Sequence, residues 1–349
     1  MSRSPFADAA VFGVDLGKTR FDVMAADKSG KPLRRAKLTR STILPFFEQV
    51  PRGLIGMEAC PGAQWLARKL AAMGHTVRII PAQFVKPFVK SNKNDARDAE
   101  AIAEAVVRPT MRFVEIRQEA QIDLQALHRI RDRISANRIQ LICQMRAFCL
   151  EYGIAMRPGA GVFKLDMARI LTDEDNDLTP MMRTLLRELW DEFVVVDARL
   201  AAVSKQVEAI ADRVDAARRL MSIPGIGPLG ATALLAAIGD GRQFRKARDL
   251  AAWLGLVPRQ NSTGGKTTLL GISKRGNPYL RRLIIHGARS CIAHLNRERD
   301  RMGEWIGQLE QRMHRNKVVV AFANKIARMA WAVLTRPGNL YERVEPTKA

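Results

Sequence analysis

The chain has 349 residues, 47% of them hydrophobic and 26% charged, and its 57 Lys and Arg against 35 Asp and Glu leave a formal charge of +22. That length is more than one core usually fills, so two domains are expected, and the composition describes a folded, soluble protein. So large a positive charge repels itself unless a polyanion neutralises it, which makes nucleic acid the natural partner.

The opening MSRSPFADAAVFGVD lacks the basic, then apolar, then small-residue order of a secretion signal, and a cytoplasmic location is expected. Residues 11–14 form an apolar run that reaches Asp15, Gly17 supplies a turn, and residues 21–26 resume the apolar stretch; this predicts a β-hairpin with an acid at its mouth. Residues 54–57 predict a strand ending at Glu58, residues 64–73 a helix, and residues 75–80 another strand, so the first domain is expected to be α/β. After Pro81 come Lys86, Lys90 and Lys93, and then NDARDAEAIAEAVV, whose composition predicts a helix from near Asn94 with Asp95 and Asp98 on one face.

A helical stalk is expected next. Leu186, Leu189, Phe193, Val196, Leu200, Val203, Val207, Ile210 and Val214 alternate by three and four, the seam of a coiled coil or a long helical hairpin. Leu127, Ile130, Ile134, Leu141, Met145 and Phe148 repeat the rhythm more loosely, with Asn137 in the missing apolar place. Two such helices can pair within a chain or between chains. The intervening residues 153–180, rich in Gly, Pro and Asp, read as an irregular connector. A helix-rich domain is expected from Leu220, with a polar tail after Pro337. The division is thus 1–112, 113–219, 220–337 and 338–349. The apolar run 318–323 is bounded by Lys317 and by Asn324 and Lys325, so no membrane span is expected. Cys60, Cys143, Cys149 and Cys291 form no CxxC pair, and reduced, mostly buried thiols are expected.

Asp15, Glu58, Asp95 and Asp98 are the first candidate constellation. Two divalent ions need several hard oxygen ligands converging from different elements, and two strand ends and one helix face could provide them. Acids at strand ends and helix starts also simply cap and solvate; it is the set of four in a basic chain that favours the metal reading. GVDLGKT alone also suits a phosphate-cradling loop of a sugar-kinase-like or actin-like fold. LMSIPGIGPLGATALLAAIG places Gly225 and Gly227 between two apolar helical runs, the pattern of a helix-hairpin-helix whose free amides meet a phosphate. From Arg259 to Arg301 ten basic residues, among them Lys266, Lys274, Arg275, Arg281 and Arg282, face two acids, Glu298 and Asp300, and would hold a phosphate backbone. Ser262, Thr263 and Ser273 stand among glycines and cations there, where a hydroxyl nucleophile finds access and charge, although Ser and Thr beside Gly commonly just make turns. His286 reads as a packing or phosphate-contact residue, and Trp253, Trp305 and Trp331 as core.

Together GVDLGKTRFDV, GMEAC, KNDARDAEAIAE, IPGIGPLGATALLAAIGD and AWLGLVPRQNSTGGKTTLLGISKRGNPYLRRLIIHGARS resemble the transposases of the insertion-sequence 110 and 1111 family, the DEDD transposases, over nearly the whole chain. The resemblance implies a RuvC-like, RNase H-like first domain whose tetrad Asp15, Glu58, Asp95 and Asp98 binds magnesium, two ions with manganese as a substitute. It also implies a nucleophilic serine matching Ser262, with Ser273 as the fallback, a structured noncoding guide RNA pairing with donor and target DNA, and homodimers assembling into a homotetramer. Two alternatives stay open: a junction-resolving or other metal-dependent endonuclease without the serine step, and a non-catalytic helix-hairpin-helix nucleic-acid-binding protein.

Overall fold

The computed structural model describes residues 5–89 and 95–345, without the side chain of Ala96, and divides into two compact units, Met1–Gln118 and Glu119–Ala349. Lys90, Lys93 and Asn94, named above, lie outside the described residues.

In the first unit, β1 (Val11–Leu16), β2 (Arg20–Ala26) and β3 (Pro32–Thr39) form an antiparallel meander, followed by α1 (Ile43–Gln49). Then β4 (Leu54–Glu58), α2 (Ala63–Ala72) and β5 (Thr76–Ile80) add parallel strands, giving a mixed sheet of order β3-β2-β1-β4-β5. The short α3 (Ala82–Val85) and α4 (Asp95–Val106) complete the set. Strand alternation sorts the side chains between two cores. Phe12, Val14, Phe21, Val23, Ile55 and Met57 pack with Ile43, Phe47, Leu66 and Leu70 of α1 and α2. Val11, Met24 and Ala26 pack with Ala99, Ile102, Ala103 and Val106 of α4. This mixed sheet, covered on both faces, is consistent with the expected RNase H-like domain. β3 has no counterpart in the sequence reading because its Arg34, Arg35 and Lys37 are exposed; the ladder to β2 holds it, and charge on an edge strand discourages pairing with other chains.

α4 lies unusually close to the sheet. A Cβ on Gly13 would stand 2.1 Å from the Ala99 carbonyl oxygen and 2.9 Å from the Ala103 Cβ, and one on Gly56 would stand 2.8 Å from the Val106 Cβ. Gly13 on β1 opposite Ala99 and Ala103, and Gly56 on β4 opposite Val106, therefore set the helix-to-sheet distance.

In the second unit, α5 (Glu119–Glu151), α6 (Ala160–Thr172) and α7 (Pro180–Arg213) precede α8 (Asp215–Met221), α9 (Pro228–Ile238) and α10 (Ala247–Trp253). The antiparallel pair β6 (Pro258–Thr263) and β7 (Lys266–Ile272) follows, then α11 (Pro278–His294), α12 (Arg301–Arg312) and α13 (Arg315–Thr335). α5 and α7 pair antiparallel within the chain: Arg131 donates to Ser204 and Arg138 to Asp197. The apolar gap expected at Asn137 is filled by its neighbour: Asn137 is exposed, while Arg138 meets Asp197, which also pairs with Lys164. Residues 153–180, expected to be irregular, contain α6, whose Phe163, Met167, Ile170 and Leu171 are buried against α5 and α7; the flanking Gly, Pro and Asp mask a short amphipathic period.

α13 is long and apolar enough by length and composition to cross a membrane. Its Val318, Val319, Phe322, Ala323, Ile326, Ala327 and Ala330 are instead buried in the core of this unit. The thiols correct another expectation: only Cys149 is buried, and Cys143 is exposed.

His128 of α5 is buried and ties three helices together. Thr232 donates its hydroxyl to the Pro228 carbonyl (2.7 Å) and so accepts from His128 Nε2 (3.0 Å), leaving Nδ1 to accept from the Tyr279 hydroxyl (3.0 Å). Burial first, and then the nearby Arg131 charge, push the imidazole down to about 4 from 6.5.

Two outcomes are expected. Gly13→Val should cost about 3 kcal/mol or more in denaturant unfolding, because α4 must move off the sheet. His128 binds its proton more weakly when folded, so its contribution is complete above pH 6.5 and is lost as pH falls towards about 4. The Tm of His128→Asn should accordingly depend less on pH across that window than the Tm of the unmutated protein; parallel curves would remove His128 as a source of acid sensitivity.

Candidate active site and nucleic-acid interface

The acids at the ends of β1 and β4 follow from strand alternation. Asp15 lies on the same face as Val11 and Gly13, which is the α4 face, and Glu58 follows Gly56 on that face of β4. The parallel register pairs Val14 with Met57, so Asp15 and Glu58 stand one residue beyond it, at the carboxyl ends of both strands, where open α/β sheets form their crevices. Asp95 and Asp98 occupy the first turn of α4, three residues apart on one side and at the positive end of the helix.

The close seating of α4 brings these elements together. Asp15, Asp95 and Asp98 each offer a carboxylate oxygen within 4.8 Å of the others. Burial raises the Asp15 carboxyl first, and the charges of Asp98, Asp95, Glu58 and Asp22 add to it, pushing it up to about 6 from 3.8. Crowded carboxylates that raise the proton affinity of Asp15, all of them hard oxygen donors, fit a divalent cation, which relieves repulsion and desolvation together. Asp22 is the neighbour that sequence reasoning missed. Directly opposite Asp15 in the β1–β2 register, it is almost buried and accepts from Arg35 Nε (3.0 Å) and Nη2. A hairpin register drawn from the Gly17 turn would have found it.

In the second unit, Gly225 and Gly227 lie in the turn between α8 and α9. Gly225 has φ +91°, and its carbonyl oxygen would be only 1.9 Å from a Cβ at Gly287, so the turn rests directly on α11. Gly227 caps α9. A cleft of about 470 Å³ beside the turn is lined by Gly225, Gly227, Ser290, His294, Arg299 and Arg343; Arg299 is among the ten basic residues read from sequence, whereas Ser290, His294 and Arg343 were not singled out.

Ser262 lies on β6 and is exposed. Its hydroxyl accepts from Gln260 Nε2 (2.8 Å) and reaches Thr267 Oγ1 at 3.4 Å. Ser273 is half-buried where the hairpin ends, its amide donating to the Val257 carbonyl. Lys266, Lys274 and Arg275 are exposed. Arg281 and Arg282 are engaged within the unit: Arg281 donates to the Leu254 and Arg275 carbonyls, and Arg282 pairs with Asp132 and lies over the Tyr279 ring. His286 is exposed and so takes no part in core packing.

Residues 12–154 match the family model DEDD_Tnp_IS110, described as a transposase, and residues 217–302 match that of the transposase IS116/IS110/IS902 family. The chain is similar to a probable family 20 transposase of Pseudomonas aeruginosa, 44% identical over 325 residues, covering 93% of this chain and 96% of the relative. It is 42% identical over 330 residues to the transposase for insertion sequence element IS1328 of Yersinia enterocolitica, covering 94% and 98%. With the transposase for insertion sequence element IS1111A of Coxiella burnetii it shares 41% identity over 334 residues, covering 96% and 92%.

The raised Asp15 carboxyl has a stability consequence. An acid whose proton is held more tightly when folded contributes stability at low pH that is lost as pH rises through about 6. The Asp15 contribution to the stability of metal-free protein should therefore be lost between pH 4 and 6, opposing the His128 contribution gained over the same range, and millimolar Mn²⁺ at pH 7.5 should raise its Tm by several degrees. In Asp15→Asn both effects should shrink; an undiminished Mn²⁺ shift would place the cation elsewhere.

Proposed function

The chain belongs to the IS116/IS110/IS902 family of transposases, and from that membership we propose that it transposes an insertion element by a serine-linked strand transfer and depends on a magnesium-binding acidic site. The observation that carries the reading is the convergence of Asp15, Asp95 and Asp98 under the first turn of α4, with Glu58 acting on the same carboxyl. These four residues would hold the cations, magnesium or in its place manganese. Bound there, divalent ions would neutralise the charge that develops on a phosphodiester as it is broken.

Ser262 supplies the nucleophile. Its oxygen attacks phosphorus as the bond to the leaving strand breaks; the serine proton passes to solvent, and the leaving oxygen takes up a proton. The Gln260 amide, which already donates to Ser262, stabilises the oxygen as it loses its proton. The phosphoserine bond keeps the energy of the original ester, so a hydroxyl of a second strand restores a phosphodiester, freeing serine without ATP. Ser273 is the alternative nucleophile.

The α8–turn–α9 segment acts as a helix-hairpin-helix that presents amides near Gly225 and Gly227 to a phosphate, with Arg299 and Arg343 beside them. Lys266, Lys274 and Arg275 hold donor and target DNA, whereas Arg281 and Arg282 principally brace the fold. The charge of +22 is in keeping with a structured noncoding RNA bound in addition to DNA. Exposed Ile139, Leu150, Leu165, Met181 and Val195 on the α5–α7 helices favour coiled-coil pairing between copies, as dimers that join into a tetramer.

The protein, incubated with Mg²⁺, donor DNA and the transcript of the noncoding region flanking its reading frame, should yield a protein–DNA adduct that withstands denaturation. Ser262→Ala should abolish the adduct and Asp15→Asn should reduce it at least about 100-fold. Cleavage that survives Ser262→Ala with no joined product would mean hydrolysis by a junction-resolving type of nuclease instead.

A further inference from the structure

The β6–β7 hairpin has no place in the packing of its unit. Every residue of β6 and all of β7 but Ile272 is exposed. Such a two-stranded ribbon is marginal in water unless something covers it. Its shape is nonetheless well specified. Gly264 and Gly265, with φ +55° and +78°, make the two-residue turn whose twist matches a hairpin. At its base the Ser273 amide donates to Val257 and the Lys274 amide to Gly255.

Its side chains are of an unusual kind. Between Asp249 and Glu298 the chain contains no acid, and Arg259, Lys266 and Lys274 stand on and beside the ribbon. Between these cations the strands carry mainly neutral hydrogen-bonding groups, with Leu269 and Leu270 as exposed apolar residues. Asn261 pairs across with Thr268 and Thr263 with Lys266 on one face, while Gln260 and Ser262, opposite Leu269 and Thr267, lie on the other. Asn261 and Thr268 make no side-chain hydrogen bond among the described residues, in contrast to Gln260, Ser262 and Thr267 on the opposite face. Phosphate is held by lysine, arginine and such neutral side chains alike, and those contacts carry no sequence information. Amides, hydroxyls and methyls are the groups that discriminate base edges, with Asn bidentate to adenine and Thr methyl against thymine methyl.

We propose that the β6–β7 ribbon enters the major groove of the DNA duplex and reads bases through Asn261 and Thr268, so that the protein itself contributes sequence preference beside the cleavage point. Strands of six and seven residues reach about 20 Å at roughly 3.4 Å per residue. The B-form major groove, about 12 Å wide, admits a two-stranded ribbon, whereas that of duplex RNA does not admit side chains. Cations at the tip and base meet the phosphate walls. The proposal rests on the transposase reading for its DNA partner and does not depend on which residue is the nucleophile.

The test is selection of bound sequences from a randomised duplex DNA library by the full-length protein, with and without the flanking noncoding transcript. The wild type should enrich a preference over two to four adjacent base pairs. Asn261→Ala combined with Thr268→Ala should reduce enrichment at those positions about tenfold, leaving the remaining positions, the salt dependence and the Tm unchanged. Lys266→Ala should weaken binding to all sequences alike and lower the salt slope by about one. Unaltered enrichment in the double variant, or a uniform loss, would sink the ribbon reading while the transposase chemistry stood. No DNA binding by the wild type under either condition would overturn both.

Discussion

α4 can lie against the sheet only because β1 and β4 present no side chain where it crosses them. The contact of Gly13 with Ala99 and Ala103, and of Gly56 with Val106, removes the layer of side chains that ordinarily separates helix from sheet. The rest of the acidic site depends on that distance. Asp15 and Glu58 follow those glycines by two residues and so share their face. Asp98 immediately precedes Ala99 on the helix, so the step that seats α4 also lowers Asp95 and Asp98 towards Asp15. Held farther away, the same four acids would be solvated separately, and Asp15 would lack the burial and the neighbouring charges that raise its carboxyl.

The two units manage charge in opposite ways. The first concentrates acids against self-repulsion, partly offset by the positive end of α4 and demanding a cation. The second carries a long acid-free segment and demands a polyanion. Cationic residues there have different employments. Arg138 completes the α5–α7 contact, Arg281 and Arg282 fix the approach to α11, and Lys266, Lys274 and Arg275 remain in water. Net charge identifies the partner class, but only the hydrogen-bond partners distinguish an arginine that braces the fold from one free to meet phosphate.

Membership of a transposase family and a crowded carboxylate site are independent observations that converge on phosphodiester chemistry. The first comes from similarity along the chain, the second from distances between Asp15 and residues eighty or more positions away. The His128 network illustrates the complementary case of a buried titratable group with a positioning role: its two ring nitrogens are both engaged, joining α5 to α9 and α11.

Local chemistry was written in the sequence wherever a short segment decides its own conformation. β1, β2, β4, α2 and α4 were legible because apolar residues recur at the periods that strand and helix geometry impose, and those periods also placed Asp15 and Glu58 at strand ends and Asp95 and Asp98 on one helix face. The motifs carrying the family resemblance were legible for the same reason. β3, α6 and the β6–β7 ribbon were not, since a basic edge strand, a helix among Gly and Pro, and a polar hairpin owe their form to partners or turns and carry weak apolar periodicity. Nor did sequence distinguish the apolar α13 as a core helix from a chain-long list of apolar runs, or separate Arg281 from Lys274. Those outcomes, and the meeting of three carboxylates beneath one helix end, required tertiary structure, because close packing between distant segments fixes them and no local period encodes a distance across the fold.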